Sequence, residues 1–135
     1  MRELKLAEAR LETLPEVLAF IDGILEEIEC SMKAQMQIDV VVEELYVNVA
    51  HYAYAPGTGP VTIRAEAGAD RELTITFIDE GVPYDPLARP DPDITLSIEE
   101  RPVGGLGIFM VKNTMDDMTY RREDDRNVLT IRKRV

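Results

Sequence analysis

Two segments, VTIRAEA at 61–67 and ELTITFIDE at 72–80, alternate apolar and polar residues on either side of GADR. Period-two alternation makes each a half-buried strand, and the short polar connection makes the pair a hairpin. A hairpin with one apolar face is not stable alone; another layer must cover that face. The stretch upstream supplies it. From Leu11 to about Cys30 the apolar residues recur at helical spacing, with Thr13 as N-cap and Pro15 just inside the start. A second helical pattern runs from about Lys33 to Ala53 and is stopped by Pro56, Gly57 and Gly59. Before both helices, ELKLAEA alternates around Leu4 and Leu6 and predicts a short first strand. After the hairpin, LGIFMVKNTM predicts a third helix entered through Gly104 and Gly105, and MTYRRE and NVLTIRKRV predict a closing pair of strands. The expected architecture is a two-layer α/β sandwich, with helices on one face of a mixed, mostly antiparallel sheet. With 135 residues, the chain is expected to be one domain, residues 1–135. Between 81 and 105 the proline-rich GVPYDPLARPDPDITLSIEERPVGG has no clear periodicity, and a loop that long in a compact domain is usually functional or disordered.

Composition removes several classes of function. A formal net charge of −11 opposes binding to a phosphate backbone, so no direct nucleic-acid partner is expected. No run approaches the roughly 18 apolar residues of a membrane span, and MRELKLAEARLET carries acids where a signal peptide is apolar. A cytoplasmic location without membrane contact is the expectation. One cysteine, Cys30, and one histidine, His51, build neither an internal disulfide nor a thiolate or His-rich metal site. Any metal must be held by oxygen or amide ligands.

Three clusters of residues carry chemistry. On the second helix, Ile38, Val41, Val42, Leu45 and Val49 form one apolar stripe and Met36, Val40 and Val47 another. Gln35, Asp39 and Glu43 lie on one side between them; Lys33, Gln37, Glu44, Asn48 and His51 lie on the other. A surface helix needs one solvated face, so a second polar strip marks either a cleft or a helix exposed on both flanks. Next, Leu73, Ile75, Phe77 and Asp79 share one face of a strand, so Asp79 continues a core-facing row unless it merely opens a turn. A carboxylate there needs donors or a wet pocket, and Gly81 permits close approach by a ligand. Finally, GGLGIFMVKN places glycines before a helix, where free N–H groups and the helix dipole favour anionic oxygens, although glycines also serve steric ends. No Walker-type GxxxxGK[ST] string and no HRD or DFG set of protein kinases occurs.

In this order, EELYVNVAHYAY, FIDEGVPYDP and GGLGIFMVKNTMDDMTY resemble the N box and the two glycine boxes of the GHKL ATP-binding family, most closely its anti-sigma factor serine/threonine kinases of the RsbW and SpoIIAB type. The resemblance covers nearly the whole chain. It implies the Bergerat α/β sandwich, binding of ATP and ADP with Mg²⁺, and an ATP lid at about 84–104. It further implies Glu44 as the base that takes a proton from a substrate serine, Asn48 as the Mg²⁺ ligand, and Asp79 as the acceptor for the adenine amino group. Gly81 would leave room for the ring, and Gly105, Leu106 and Gly107 would offer backbone N–H groups to the phosphates. Glu43 competes with Glu44 for the base, but points about 100° away, onto the other strip. The implied partners are a STAS-domain anti-sigma factor antagonist, a sigma factor and a second copy of the chain as a homodimer. Alternatives are a nucleotide-dependent binding module without phosphoryl transfer and a plain interaction protein with a degenerate pocket. The sequence also departs from the family pattern. Pro83 and Tyr84 stand where many members have a second glycine, a form frequent in the anti-sigma branch. Arg126 and Asn127 replace a Gly-Thr pair that helps bind the base, leaving the adenine contact there unassigned. Arg101 lies further from the glycines than the family's arginine, and neither it nor His51 receives a catalytic role.

Overall fold

The computed structural model describes residues 1–88 and 106–135. Strand β1 (Arg2–Leu6) leads through a 3₁₀ turn (Leu11–Thr13) into helix α1 (Leu14–Glu27) and helix α2 (Met32–Asn48). A π-turn (Val49–Ala53) prolongs α2; then come β2 (Val61–Ala67), β3 (Glu72–Asp79), α3 (Leu106–Thr114), β4 (Asp117–Glu123) and β5 (Arg126–Arg134). The sheet order is β1-β2-β3-β5-β4. Every pairing among the described residues is antiparallel, so the expected parallel admixture is corrected. The reason is the order itself: β4 runs in the direction of β3, but β5 lies between them. Asp124 and Asp125, both with positive φ (52° and 59°), make the two-residue turn that folds β5 back against β4.

The helices cover one face of the sheet. Val17, Ile21 and Leu25 of α1 and Ile38, Val41, Val42 and Leu45 of α2 meet Ile63, Ile75, Phe77 and Ile131 from the strands, all essentially inaccessible. Burying each of these side chains contributes roughly 1.5–3 kcal/mol. Tyr46, also fully buried, keeps its hydroxyl satisfied: it accepts from Arg10 N–H at 3.0 Å and donates to the Arg10 carbonyl at 2.7 Å. Thr13 joins that cluster instead of capping α1, its hydroxyl donating to the Arg10 carbonyl at 2.7 Å and lying against the Tyr46 hydroxyl. Helix α1 ends at Glu27, short of Cys30, because Glu29 takes a left-handed φ of 53° and Cys30 N–H returns to the Leu25 carbonyl at 3.3 Å. Ser31 caps α2 by accepting from Ala34 N–H at 3.1 Å.

The two apolar stripes of α2 have different fates. The Ile38–Leu45 stripe is buried, whereas Met36 and Val40 of the other are 63% and 50% exposed. Across the α1–α2 contact Asp22 and Asp39 place their Oδ1 atoms out of solvent with no hydrogen-bond partner. Burial first, and the Asp22 carboxyl second, push the Asp39 carboxyl up to about 7. Together α1 and α2 carry seven acidic residues and one lysine. Among the described residues, no helix covers the other face of the sheet, where Thr74, Thr76, Ile78, Val128 and Thr130 line a shallow groove. Its charges come in pairs, Arg64 with Glu3 at 2.7 Å and Arg132 with Asp117 at 2.9 Å. Among the described residues, no helix is long and apolar enough to cross a membrane.

Candidate functional site

A cleft opens between α2, the end of β3 and the start of α3. Its walls include Asn48, Tyr52, Phe77, Asp79, Val82, Tyr84, Ile108, Tyr120 and Asn127, and the empty space including its mouth is about 510 Å³. Helix α2 delivers Asn48 in its last α-helical turn, and β3 delivers Asp79 at its last residue, so the two expected ligand-binding side chains line one cleft. Just past Asn48 the helix widens into the π-turn, a distortion frequent at functional sites. The extra residue per turn brings Tyr52 to the cleft and leaves His51 exposed, edge-on to the Tyr52 ring with centroids 6.0 Å apart. The expected single line of Glu44, Asn48 and His51 therefore breaks after Asn48.

The π-turn also ties the first two motifs together. The Ala53 carbonyl accepts from Val82 N–H at 3.0 Å. A Cβ on Gly81 would stand 2.6 Å from the Ala53 carbonyl carbon, so glycine is required for this approach. The room that Gly81 leaves is occupied by Ala53, and Val82, not Gly81, lines the cleft. Beside it, the Tyr54 hydroxyl accepts from Glu80 N–H at 2.6 Å and donates to the Pro60 carbonyl. Burial raises the Tyr54 hydroxyl above its ordinary range, keeping it a donor.

Asp79 is 7% exposed. Its Oδ1 accepts from Gly81 N–H at 2.9 Å and from the Asn127 amide at 2.9 Å. Among the described residues, Oδ2 has no hydrogen-bond partner. Asn127 stands opposite Asp79 in the β3–β5 register and is 6% exposed. Sequence reasoning left it without a role and missed Tyr120 altogether. The signal was available, since Asn127 shares its strand face with Leu129 and Ile131, the same break in a core row that singled out Asp79.

Glu44 lies one turn before Asn48 on α2, and its carboxylate rests against Gly107 in the first turn of α3. A Cβ at Gly107 would overlap the carboxylate, so the glycine lets α3 approach α2 at this point. Glu43 points out to solvent, as its position on the opposite strip requires. Gly104, Gly105, Arg101 and positions 89–104 of the expected lid lie outside the described residues; Leu106 opens α3. The arrangement places the Asn48 amide and the Asp79 carboxylate in one cleft bordered by Ile108 of α3, with the Glu44 carboxylate one helical turn before Asn48, against Gly107.

Residues 7–133 match the histidine kinase-like ATPase domain model. The chain is 24% identical over 119 residues to the serine/threonine-protein kinase BtrW of Bordetella bronchiseptica, covering 88% of this chain and 84% of that protein. It is 30% identical over 94 residues to the serine-protein kinase RsbW of Bacillus cereus, covering 67% of this chain and 58% of that protein. Among solved structures, the RsbU and RsbW domains of Rv1364c from Mycobacterium tuberculosis superpose with a TM-score of 0.66 at 16% identity, over 99% of this chain and 32% of that one. The SiaB–SiaC complex of Pseudomonas aeruginosa gives 0.60 at 14% identity, over 96% and 88%. These two likenesses establish the fold. With a family match spanning nearly its full length, and the N-box helix and both glycine boxes meeting at one cleft, the chain belongs to the histidine kinase-like ATPase domain family, the GHKL ATP-binding proteins.

Proposed function

We propose that the chain is a cytoplasmic ATP-dependent serine/threonine protein kinase of a partner-switching circuit, which phosphorylates a STAS-type antagonist protein and otherwise holds a sigma factor. The observation that carries this reading is convergence: Asn48 and Asp79 line one cleft, and the Glu44 carboxylate lies against Gly107 where α3 begins. The names of the similar proteins, serine/threonine-protein kinase and serine-protein kinase, support the reaction class.

The donor set fits Mg²⁺ held mostly by phosphate and water. Asn48 offers one amide oxygen, and among the described residues no three His, Cys, Asp or Glu side chains gather to cage a metal. When bound, Mg²⁺·ATP supplies the phosphoryl group, and the metal neutralises charge on the phosphates. Asp79 accepts from the adenine amino group through Oδ2, while Gly81 N–H holds Oδ1 in place. Backbone N–H groups of Gly105, Leu106 and Gly107 serve the phosphates at the helix N-terminus. Glu44 accepts the proton of the incoming serine or threonine hydroxyl. The sheet face away from the helices is the surface through which two copies pair as a homodimer.

The test is transfer of labelled γ-phosphate to an antagonist recovered by pulldown from native extract, run beside nucleotide calorimetry. Glu44→Gln should keep ATP binding and slow transfer by roughly 10²- to 10⁴-fold, whereas Asn48→Ala should weaken Mg²⁺-dependent binding itself. Full activity in Glu44→Gln removes the proposed base. ATP binding with no transfer to any recovered partner would make the chain a nucleotide-dependent binding module.

A further inference from the structure

Asn127 uses its whole hydrogen-bonding capacity inside the cleft wall. Its amide nitrogen donates to Asp79 Oδ1 at 2.9 Å and to the Val82 carbonyl at 2.8 Å. Its amide oxygen accepts from Tyr84 N–H at 3.2 Å and from the Tyr120 hydroxyl at 2.6 Å. Two donors and two acceptor sites are all that an asparagine side chain has. Because the Tyr84 backbone offers only a proton, the amide oxygen must face it, and the NH₂ group must face Asp79. Asp79 Oδ1 then receives two N–H donors, from Asn127 and from Gly81, and Oδ2 is the oxygen left to meet a ligand. Arg122 holds the same corner from the outside, donating to the Gly81 carbonyl at 2.8 Å.

We propose that Asn127 is a positioning residue for base recognition: with Tyr120 behind it, it fixes the Asp79 carboxylate so that Oδ2 selects a purine carrying an exocyclic amine at position 6, and it binds that selection to the loop leaving β3 through Val82 and Tyr84. The proposal rests on Asp79 as the base acceptor. It goes beyond that reading by giving a role to a residue that stands where the family's Gly-Thr pair would be. The chemistry decides between purines because a fixed carboxylate oxygen accepts from the 6-amino group of adenine, finds no partner on a 6-hydrogen purine, and faces another acceptor on a 6-oxo purine. Without Asn127, Asp79 keeps only the Gly81 N–H, and its carboxylate turns to water or to whichever base is present.

The experiment measures calorimetric affinity of the full chain for ATP and for purine riboside triphosphate, which lacks the 6-amino group, both with Mg²⁺. The natural chain should prefer ATP by about 10- to 100-fold, the range for a hydrogen bond to a charged group. In Asn127→Ala this preference should fall to about 3-fold or less, chiefly through weaker ATP binding. A purely architectural role for Asn127 weakens both nucleotides alike and leaves their ratio intact, which would overturn the proposal. Tyr120→Phe keeps the ring and removes one donor to the Asn127 oxygen; it should cut the ratio by about 2- to 5-fold. If Asn127→Ala does not fold, an unchanged ratio in Tyr120→Phe overturns the proposal. If the natural chain binds the two nucleotides equally, the base-acceptor reading of Asp79 falls, and the role of Asn127 falls with it. A natural chain that prefers ATP beside variants whose preference is undiminished refutes the role of Asn127 alone.

Discussion

Replacing Gly107 by alanine separates the chemistry proposed for Glu44 from the stability of the fold. A methyl group at Gly107 would overlap Oε1 and Cδ of Glu44 and stand 2.8 Å from Oε2, against the 3.4 Å at which ordinary contact begins. The atoms in the way belong to the far end of a flexible side chain, so the carboxylate swings aside by about 1 Å or more and the backbone stays. Alanine is the better helix former, by up to about 1 kcal/mol in a helix interior, so the melting temperature should hold or rise slightly. The backbone N–H at 107 is retained, and ATP affinity should change by less than about 5-fold. A catalytic group displaced by about 1 Å loses on the order of 10²-fold in rate, and a general base contributes about 10²- to 10⁴-fold in all. Phosphate transfer should therefore slow by about 100-fold, read as a fall in kcat. The decisive comparison is the double variant Glu44→Gln with Gly107→Ala. If the methyl acts through Glu44, the double variant is no slower than Glu44→Gln alone, because groups that act as a unit are not additive. A wild-type rate in folded Gly107→Ala, or fully multiplied losses in the double variant, would refute the reasoning.

Asp79→Asn should reverse the cleft's preference. The Asn127 and Gly81 donors require the new side-chain oxygen at the Oδ1 position, so its NH₂ faces the base; ATP should bind about 10- to 100-fold more weakly while a 6-oxo purine triphosphate gains. Calorimetry with both nucleotides checks it, and unchanged ATP affinity would show that Asp79 does not meet the base. The Asp22–Asp39 pair, with Cys30 beside it and Arg71 acting on that cysteine, should make stability depend on pH. Asp39 ionises near pH 3.8 when unfolded but is pushed up to about 7 in the fold. Its contribution is therefore complete below the unfolded value and is lost as pH rises through about 7. Asp39→Asn removes that loss and should stabilise the chain by about 1–2 kcal/mol at pH 8, after allowance for solvent screening of a half-exposed pair. Thermal melts should show a smaller gain at pH 5, part-way through the window from 3.8 to about 7, and little gain below 3.8; equal gains at all pH values would remove the pair as the cause.

The hairpin, the closing strands and the three helices were readable because parity and helical period are properties of adjacent residues. Asp79 was readable for the same reason, as a carboxylate on the parity of Leu73, Ile75 and Phe77. What depended on strand order was not. Nothing in the alternation of MTYRRE or NVLTIRKRV places β5 between β3 and β4, so the wholly antiparallel sheet and the Asp79–Asn127 pairing stayed hidden. Periodicity found two apolar stripes on α2 but had no means to say that Met36 and Val40 face water. The π-turn differs from an α-helical turn by one residue and has no composition of its own; hence His51, not Tyr52, was placed on the line with Asn48. Gly81 was read as room for a ligand, whereas the backbone that needs the room comes from Ala53, distant in sequence.

The acidic helical layer has a consequence for how a nucleotide arrives. The chain's formal charge of −11 is not spread evenly: α1 and α2 hold seven acids against one lysine, while charges on the open sheet face are largely matched in pairs. Even with Glu27 matched by Arg2 and the Asp39 carboxyl held up to about 7, the helical layer is the more negative of the two among the described residues, and through α2 this negative end borders the cleft. A free triphosphate approaching that end is repelled over about a Debye length, roughly 8–10 Å at physiological ionic strength, and a triphosphate already carrying its divalent cation much less so. Capture should therefore accelerate with added salt, opposite to the usual behaviour of electrostatically steered ligands. Association of two copies across the matched sheet face should be nearly indifferent to it.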